Sequence, residues 1–163
     1  MTIPPPPTPP LFIHLAAPDA VKPKARRLKL RVASSLAAKH ARFTGVDIDP
    51  ERVITVTCGS TEAMLSALLA TVDPGEEIIV FEPWYENSGP DAILSGAVPV
   101  YVKLHPPDFA FDPDELARAF TPRTKGIIVN TPHNPTGKVF TRGELELIGR
   151  LVEEHDALIF TDE

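Results

Sequence analysis

Short apolar runs alternate with helix-length segments along most of this chain, and that alternation limits its fold more than any other feature. Val53–Thr57, Glu77–Phe81, Ala97–Val102, Lys125–Val129 and Ala157–Phe160 have the composition of strands. Between them, Glu62–Val72 carries Ala63, Met64, Ala67, Leu68 and Leu69 at helical intervals. Tyr85–Leu94 is a weaker helix, interrupted by Gly89 and Pro90. Pro113–Phe120 has Asp112 as its cap and proline at its first position. Thr141–Glu154 is the last helix. Another, Leu30–Phe43, precedes the first strand and stops at Gly45. This β-α alternation predicts an α/β fold, a mostly parallel sheet with helices on both faces. In such sheets ligands bind beyond the carboxyl ends of the strands.

With 163 residues, 43% of them hydrophobic and 23% charged, the chain is long enough for one domain with a core. The net charge of −6 and a basic cluster without interleaved aromatics, Lys22–Arg31, argue against nucleic acid as a partner. That cluster reads as a solvated, irregular surface. The one cysteine, Cys58, excludes an internal disulfide, and the expected setting is reducing and cytoplasmic. No apolar run reaches the roughly 18 residues of a membrane span, so no membrane partner is expected. No signal-peptide layout is present and no residue is assigned to a metal.

Six of the first ten residues are proline, which favours an extended arm. Pro18 and Pro23 are expected to keep the following stretch from settling as helix. Residues 1–30 therefore read as an irregular arm and residues 31–163 as the domain. The last apolar run lies directly before Glu163. A sheet strand seldom closes a domain, so the chain is expected to be the front part of something longer. Alone, it is expected to leave an unpaired edge, exposed apolar surface and poor solubility.

Four stretches carry chemistry. Gly59-Ser60-Thr61 opens a helix. Glycine permits a tight turn, and the N–H groups, the helix dipole and two hydroxyls suit a phosphate. The same residues also suit an ordinary helix cap. In Pro83-Trp84-Tyr85, two aromatics just past a strand either stack on a flat ring or pack the core. In Asn130-Thr131-Pro132-His133-Asn134-Pro135-Thr136-Gly137, two prolines stiffen a loop after a strand. The Asn134 amide can bond a ligand's phenolic oxygen or its own backbone. His133 is either an acid–base group or a structural neighbour. Asp162 ends what reads as a buried strand, where a carboxylate can pair with a cationic ring nitrogen or stay solvated.

Taken in order, Thr57–Ala63, Phe81–Tyr85, Asn130–Lys138 and Thr161–Glu163 resemble the large domain of class I/II aminotransferases, the fold-type I pyridoxal-phosphate enzymes. The wording is nearest to the branch holding kynurenine and methionine aminotransferases. The resemblance implies pyridoxal 5′-phosphate as cofactor, an L-amino acid and a 2-oxo acid as substrates, and a homodimer at full length. It implies that Ser60 and Thr61 hold the phosphate, with Gly59 allowing the close approach. It sets Tyr85 against the pyridine ring, Asn134 on the phenolic oxygen, and Asp162 on the ring nitrogen, keeping it protonated. The family's Schiff-base lysine, the tyrosine shortly behind it and the substrate-binding arginine fall beyond Glu163. None of the seven lysines present occupies the family position; Lys138 follows the loop instead of facing the ring. The chain as it stands is therefore expected to lack transaminase activity. Residues 22–28 also depart from the glycine- and aromatic-bearing stretch usual in the family. Two alternatives remain: a β-lyase or other α-carbon chemistry on the same fold, and a non-catalytic remnant or sensor-like binding module.

Overall fold

The computed structural model describes the backbone of residues 23–162 and the side chains from Lys29 onward. The expected arm, apart from its last residues, lies outside these. The described residues fall into two units, divided between Cys58 and Gly59.

In the described part of the first unit, helix α1 spans Pro23–Thr44. It begins seven residues earlier than its apolar spacing suggested, and it takes in most of the basic cluster read as irregular. Pro23 does not break this helix but opens it. A proline at the first helical position gives up an N–H that has no intrahelical acceptor anyway. Gly45, at φ 74°, ends the helix by donating its N–H to the Ala41 carbonyl. Val53–Thr57, expected as the first strand, runs as irregular chain. β-branched composition favours an extended backbone, but a strand also needs a neighbour with which to form a ladder.

The second unit holds helices α2 (Ser60–Thr71), α3 (Ser88–Leu94), α4 (Pro113–Ala119) and α5 (Arg142–Glu154). Its strands are β1 (Glu77–Glu82), β2 (Val98–His105), β3 (Ala110–Phe111), β4 (Thr124–Asn130) and β5 (Leu158–Asp162). They form one sheet in the order β3-β2-β1-β4-β5, parallel except for the short antiparallel β3. Alternate β1 residues feed two cores. Ile79 and Phe81 pack with Leu116 of α4 and Ile148 and Leu151 of α5. Ile78 and Val80 pack with Leu68 of α2 and Ala92 of α3. Burying each such side chain contributes about 1.5–3 kcal/mol. The caps are local. Asp112 Oδ1 accepts from the Asp114 and Glu115 N–H groups, and Thr141 and Glu144 form a reciprocal capping box on α5.

Strand β5 departs from expectation. It reads as buried from its apolar run, yet Leu158 and Ile159 are 39% and 43% exposed. Of the described strands only β4 pairs with it, and a strand at an edge with an uncovered face keeps its side chains in solvent whatever their polarity. The order of the sheet also fixes a crevice. β1 lies between β2 and β4, so the chain leaves β1 to one side and returns on the other. The gap beyond the carboxyl ends of β1 and β4 is a switch point, where α/β sheets bind ligands.

Candidate functional site

Two adjoining pockets open there, both within the second unit. Ser60, Thr61, Tyr85, Asn87, Asp91 and Asp162 line one of them. Tyr85, Asn130, His133 and Asn134 are among the residues lining the other. Tyr85 and Ser88 belong to both. The fold thus gathers five of the six expected site residues, drawn from stretches some hundred residues apart. Gly59 does not line either pocket. It is the N-cap of α2 at φ 92° and ψ 174°, and a Cβ there would meet nothing within 4 Å. Its backbone angles, not crowding by the protein, select glycine.

As N-cap, Gly59 brings no side chain of its own to α2. The positive end of the helix dipole lies at the pocket that Ser60 and Thr61 line. Past β1, the two aromatics divide the roles proposed for them. Trp84 stacks on Tyr101 of β2, centroids 4.6 Å apart and planes 16° from parallel, so it is a packed wall. Tyr85 is the half-buried ring facing both pockets.

Two residues that sequence reasoning passed over organise the site. Asn87 Nδ2 donates to Thr61 Oγ1 at 3.0 Å and to Tyr85 Oη at 3.2 Å. It joins a residue in the first turn of α2 to the aromatic ring. Asn87 falls inside the expected helix Tyr85–Leu94; in the structure it is the N-cap of α3, yet its side chain makes no cap bond. Nothing in the sequence separates a capping asparagine from a bridging one. Asn130, the last residue of β4, donates from Nδ2 to the Asp162 carbonyl at 2.9 Å and to its carboxylate at 3.3 Å. Its Oδ1 accepts the Asn134 N–H at 2.6 Å. One amide thus orients both Asp162 and the loop carrying Asn134, whose own side chain is left exposed.

The prolines of this loop, Pro132 and Pro135, follow cis peptide bonds. His133 is buried, with Nδ1 2.9 Å from Thr136 Oγ1 and its N–H donating to the Lys138 carbonyl. Burial first, then the nearby Lys138 charge, push the imidazole below the usual histidine range and favour its neutral form. Lys138 places its ammonium 2.8 Å from Glu144 Oε1 and over the Phe140 ring. That engagement fits its reading as a loop residue. Asp91, unremarked in the sequence, is 5% exposed, and its Oδ2 is a buried side-chain atom without a hydrogen-bond partner. Burial raises its carboxyl above the usual aspartate range.

Among the described residues no helix is long and apolar enough to cross a membrane, and no group of three or more potential metal ligands occurs. The family profile described as aminotransferase class I and II matches residues 16–163. A probable N-succinyldiaminopimelate aminotransferase, DapC, of Mycobacterium tuberculosis is 44% identical over 131 residues, covering 79% of this chain and 33% of that protein. Human kynurenine–oxoglutarate transaminase 1 is 41% identical over 139 residues, covering 78% and 33%. Among solved structures, the Escherichia coli methionine aminotransferase YbdL superposes with a TM-score of 0.78 at 34% identity, covering 82% of this chain and 35% of that one. The chain thus spans about a third of the length of the relatives it matches. The profile takes in nearly the whole sequence and the fold agrees with it, so this chain belongs to the class I and II aminotransferases.

Proposed function

We propose that residues 31–163 form part of the cofactor-binding large domain of a cytoplasmic, pyridoxal-phosphate-dependent aminotransferase. The whole protein moves an amino group between an L-amino acid and a 2-oxo acid, and it works as a homodimer. One observation carries this reading: Ser60, Thr61, Tyr85, Asn134 and Asp162, from four separate stretches, converge on one crevice at the sheet's switch point.

The donor set fits the cofactor. The start of α2, with the Ser60 and Thr61 hydroxyls and the helix dipole, suits a phosphate dianion. Tyr85 offers an aromatic face, and Asn134 an amide for the phenolic oxygen. Asp162 carries a carboxylate, oriented by Asn130, for a protonated ring nitrogen. A pyridine ring kept protonated supplies the electron sink for chemistry at the amino acid's α-carbon. The protein's part is to hold that proton through Asp162, to fix the ring against Tyr85, and to anchor the phosphate.

The test is to titrate the chain with pyridoxal phosphate while following the fluorescence of its one tryptophan, Trp84, in the wall of the crevice. Saturable quenching is expected, weakened at least tenfold by Asp162→Ala, since a charge-assisted hydrogen bond contributes roughly 1.5–3 kcal/mol. Quenching that never saturates would overturn the reading.

A further inference from the structure

Asp91 stands apart from the residues the proposed function uses. It is the fourth residue of α3, and its backbone N–H is engaged by the Asn87 carbonyl at 2.7 Å. Its side chain is among the most buried polar groups of the second unit, yet Oδ2 meets no partner. Buried polar atoms without partners are rare, and leaving one costs roughly 1–3 kcal/mol. This one lines the same pocket as Asn87 and the first two residues of α2, Ser60 and Thr61.

No lysine, arginine or histidine lines that pocket. An ionised Asp91 would therefore be a buried carboxylate in a pocket that holds no cationic side chain, alongside residues of the α2 start. The acid form removes the conflict and gives Oδ2 a proton to donate; burial favours the same form. A donor there complements the hydroxyls of Ser60 and Thr61. All three suit the oxygens of an anion, which a second ionised carboxylate in the pocket, besides Asp162, would repel.

We infer that Asp91 is a further residue of the cofactor site, its carboxylic acid donating a hydrogen bond to the phosphate seated at the start of α2. The inference rests on the proposed pyridoxal-phosphate reading and extends it to a group outside the stretches that carry the family resemblance.

The experiment compares the wild-type chain with Asp91→Ala and Asp91→Asn. Pyridoxal phosphate and pyridoxal are titrated in parallel by Trp84 quenching, and each protein is melted. Asp91→Ala is expected to weaken pyridoxal phosphate about tenfold and to leave pyridoxal within about twofold. Asp91→Asn keeps a neutral donor of the same shape and is expected to stay within about threefold for both ligands. It also keeps the measurement available should the alanine variant not fold. Unchanged phosphate affinity in Asp91→Ala overturns the inference, as does equal weakening of both ligands, which would point to the ring or to packing. Tighter phosphate binding by Asp91→Asn also overturns it, because the native carboxyl would then be charged. Failure of the wild-type chain to bind either ligand overturns the parent reading and this inference with it. The two failures are thus distinguished by which protein loses binding.

Discussion

Asn130 and Asp162 end neighbouring parallel strands as direct register partners, and the side chain of the first holds both the carbonyl and the carboxylate of the second. The same amide takes the Asn134 N–H. A strand-end asparagine thereby sets the position of two groups, one proposed for the ring nitrogen and one for the phenolic oxygen.

Replacing Asn130 by aspartate keeps its shape but turns a donor into an acceptor facing the Asp162 carboxylate. Unfolding in denaturant is expected to show a loss of about 1–3 kcal/mol. Pyridoxal-phosphate affinity is expected to fall with it. A variant as stable and as tight-binding as wild type would show that the amide orients nothing.

Asn87→Ala frees the Thr61 hydroxyl and the Tyr85 hydroxyl from their shared donor. The group is partly exposed, so the stability change is expected to stay near 1 kcal/mol or below. The cofactor should bind several-fold more weakly, because the hydroxyl proposed for its phosphate and the ring proposed to stack on it are no longer held together. Titration and thermal melting of one preparation separate the two effects.

Gly126→Ala tests how closely the strands must approach. A Cβ on Gly126 would stand 2.7 Å from Phe160 Cε2 and 2.8 Å from the Leu158 carbonyl oxygen. The second contact is backbone and cannot rotate away. The expected loss is about 1–3 kcal/mol, from forcing β4 and β5 apart. Asn130 and Asp162 lie four residues along the same two strands, so cofactor affinity should fall as well. Gly143→Ala is the control, since a Cβ there meets nothing within 4 Å.

Stability is expected to fall with acid in two stages. His133 is held below its ordinary range by burial, so the unfolded chain takes up a proton at higher pH than the folded one. Stability is therefore full above about pH 6.5 and declines as pH falls from there toward the folded pKa. Glu77, buried at the start of β1, accepts from the Thr121 hydroxyl and pairs with Arg123; these interactions hold its carboxyl below the usual range. Its contribution is present above about pH 4.5 and is lost as pH drops further. Melting temperature recorded against pH checks both stages. His133→Gln should flatten the upper stage alone, and Glu77→Gln should reduce the lower, to which Asp112 and Glu144 also contribute.

Much of this was legible in the sequence because it is local. Asp112 with Pro113, Thr141 with Glu144, and Gly45 announce helix ends through bonds made within a few residues. The alternation of apolar runs announces the layered sheet for a similar reason, since each strand and helix carries its own buried face. The failures came where a partner decides. Val53–Thr57 has strand composition but no place in the described sheet. Pro23 was read as a breaker because the residues after it, which make it a helix start, were not recognised as helix. Leu158 and Ile159 look like core and lie half in solvent.

By itself the sequence determined which residues are candidates for phosphate-, ring- and amide-binding chemistry, and that strands and helices alternate, because residue type and short-range spacing suffice for both. Only the tertiary structure decided that β1 lies between β2 and β4, that Trp84 is a wall and Tyr85 the open ring, and that Asn87, Asn130 and Asp91 line the same crevice. These facts depend on hydrogen bonds and burial between residues dozens of positions apart. Such contacts leave no periodicity to read, because the chain forms them only when its sheet brings the strand ends to one edge.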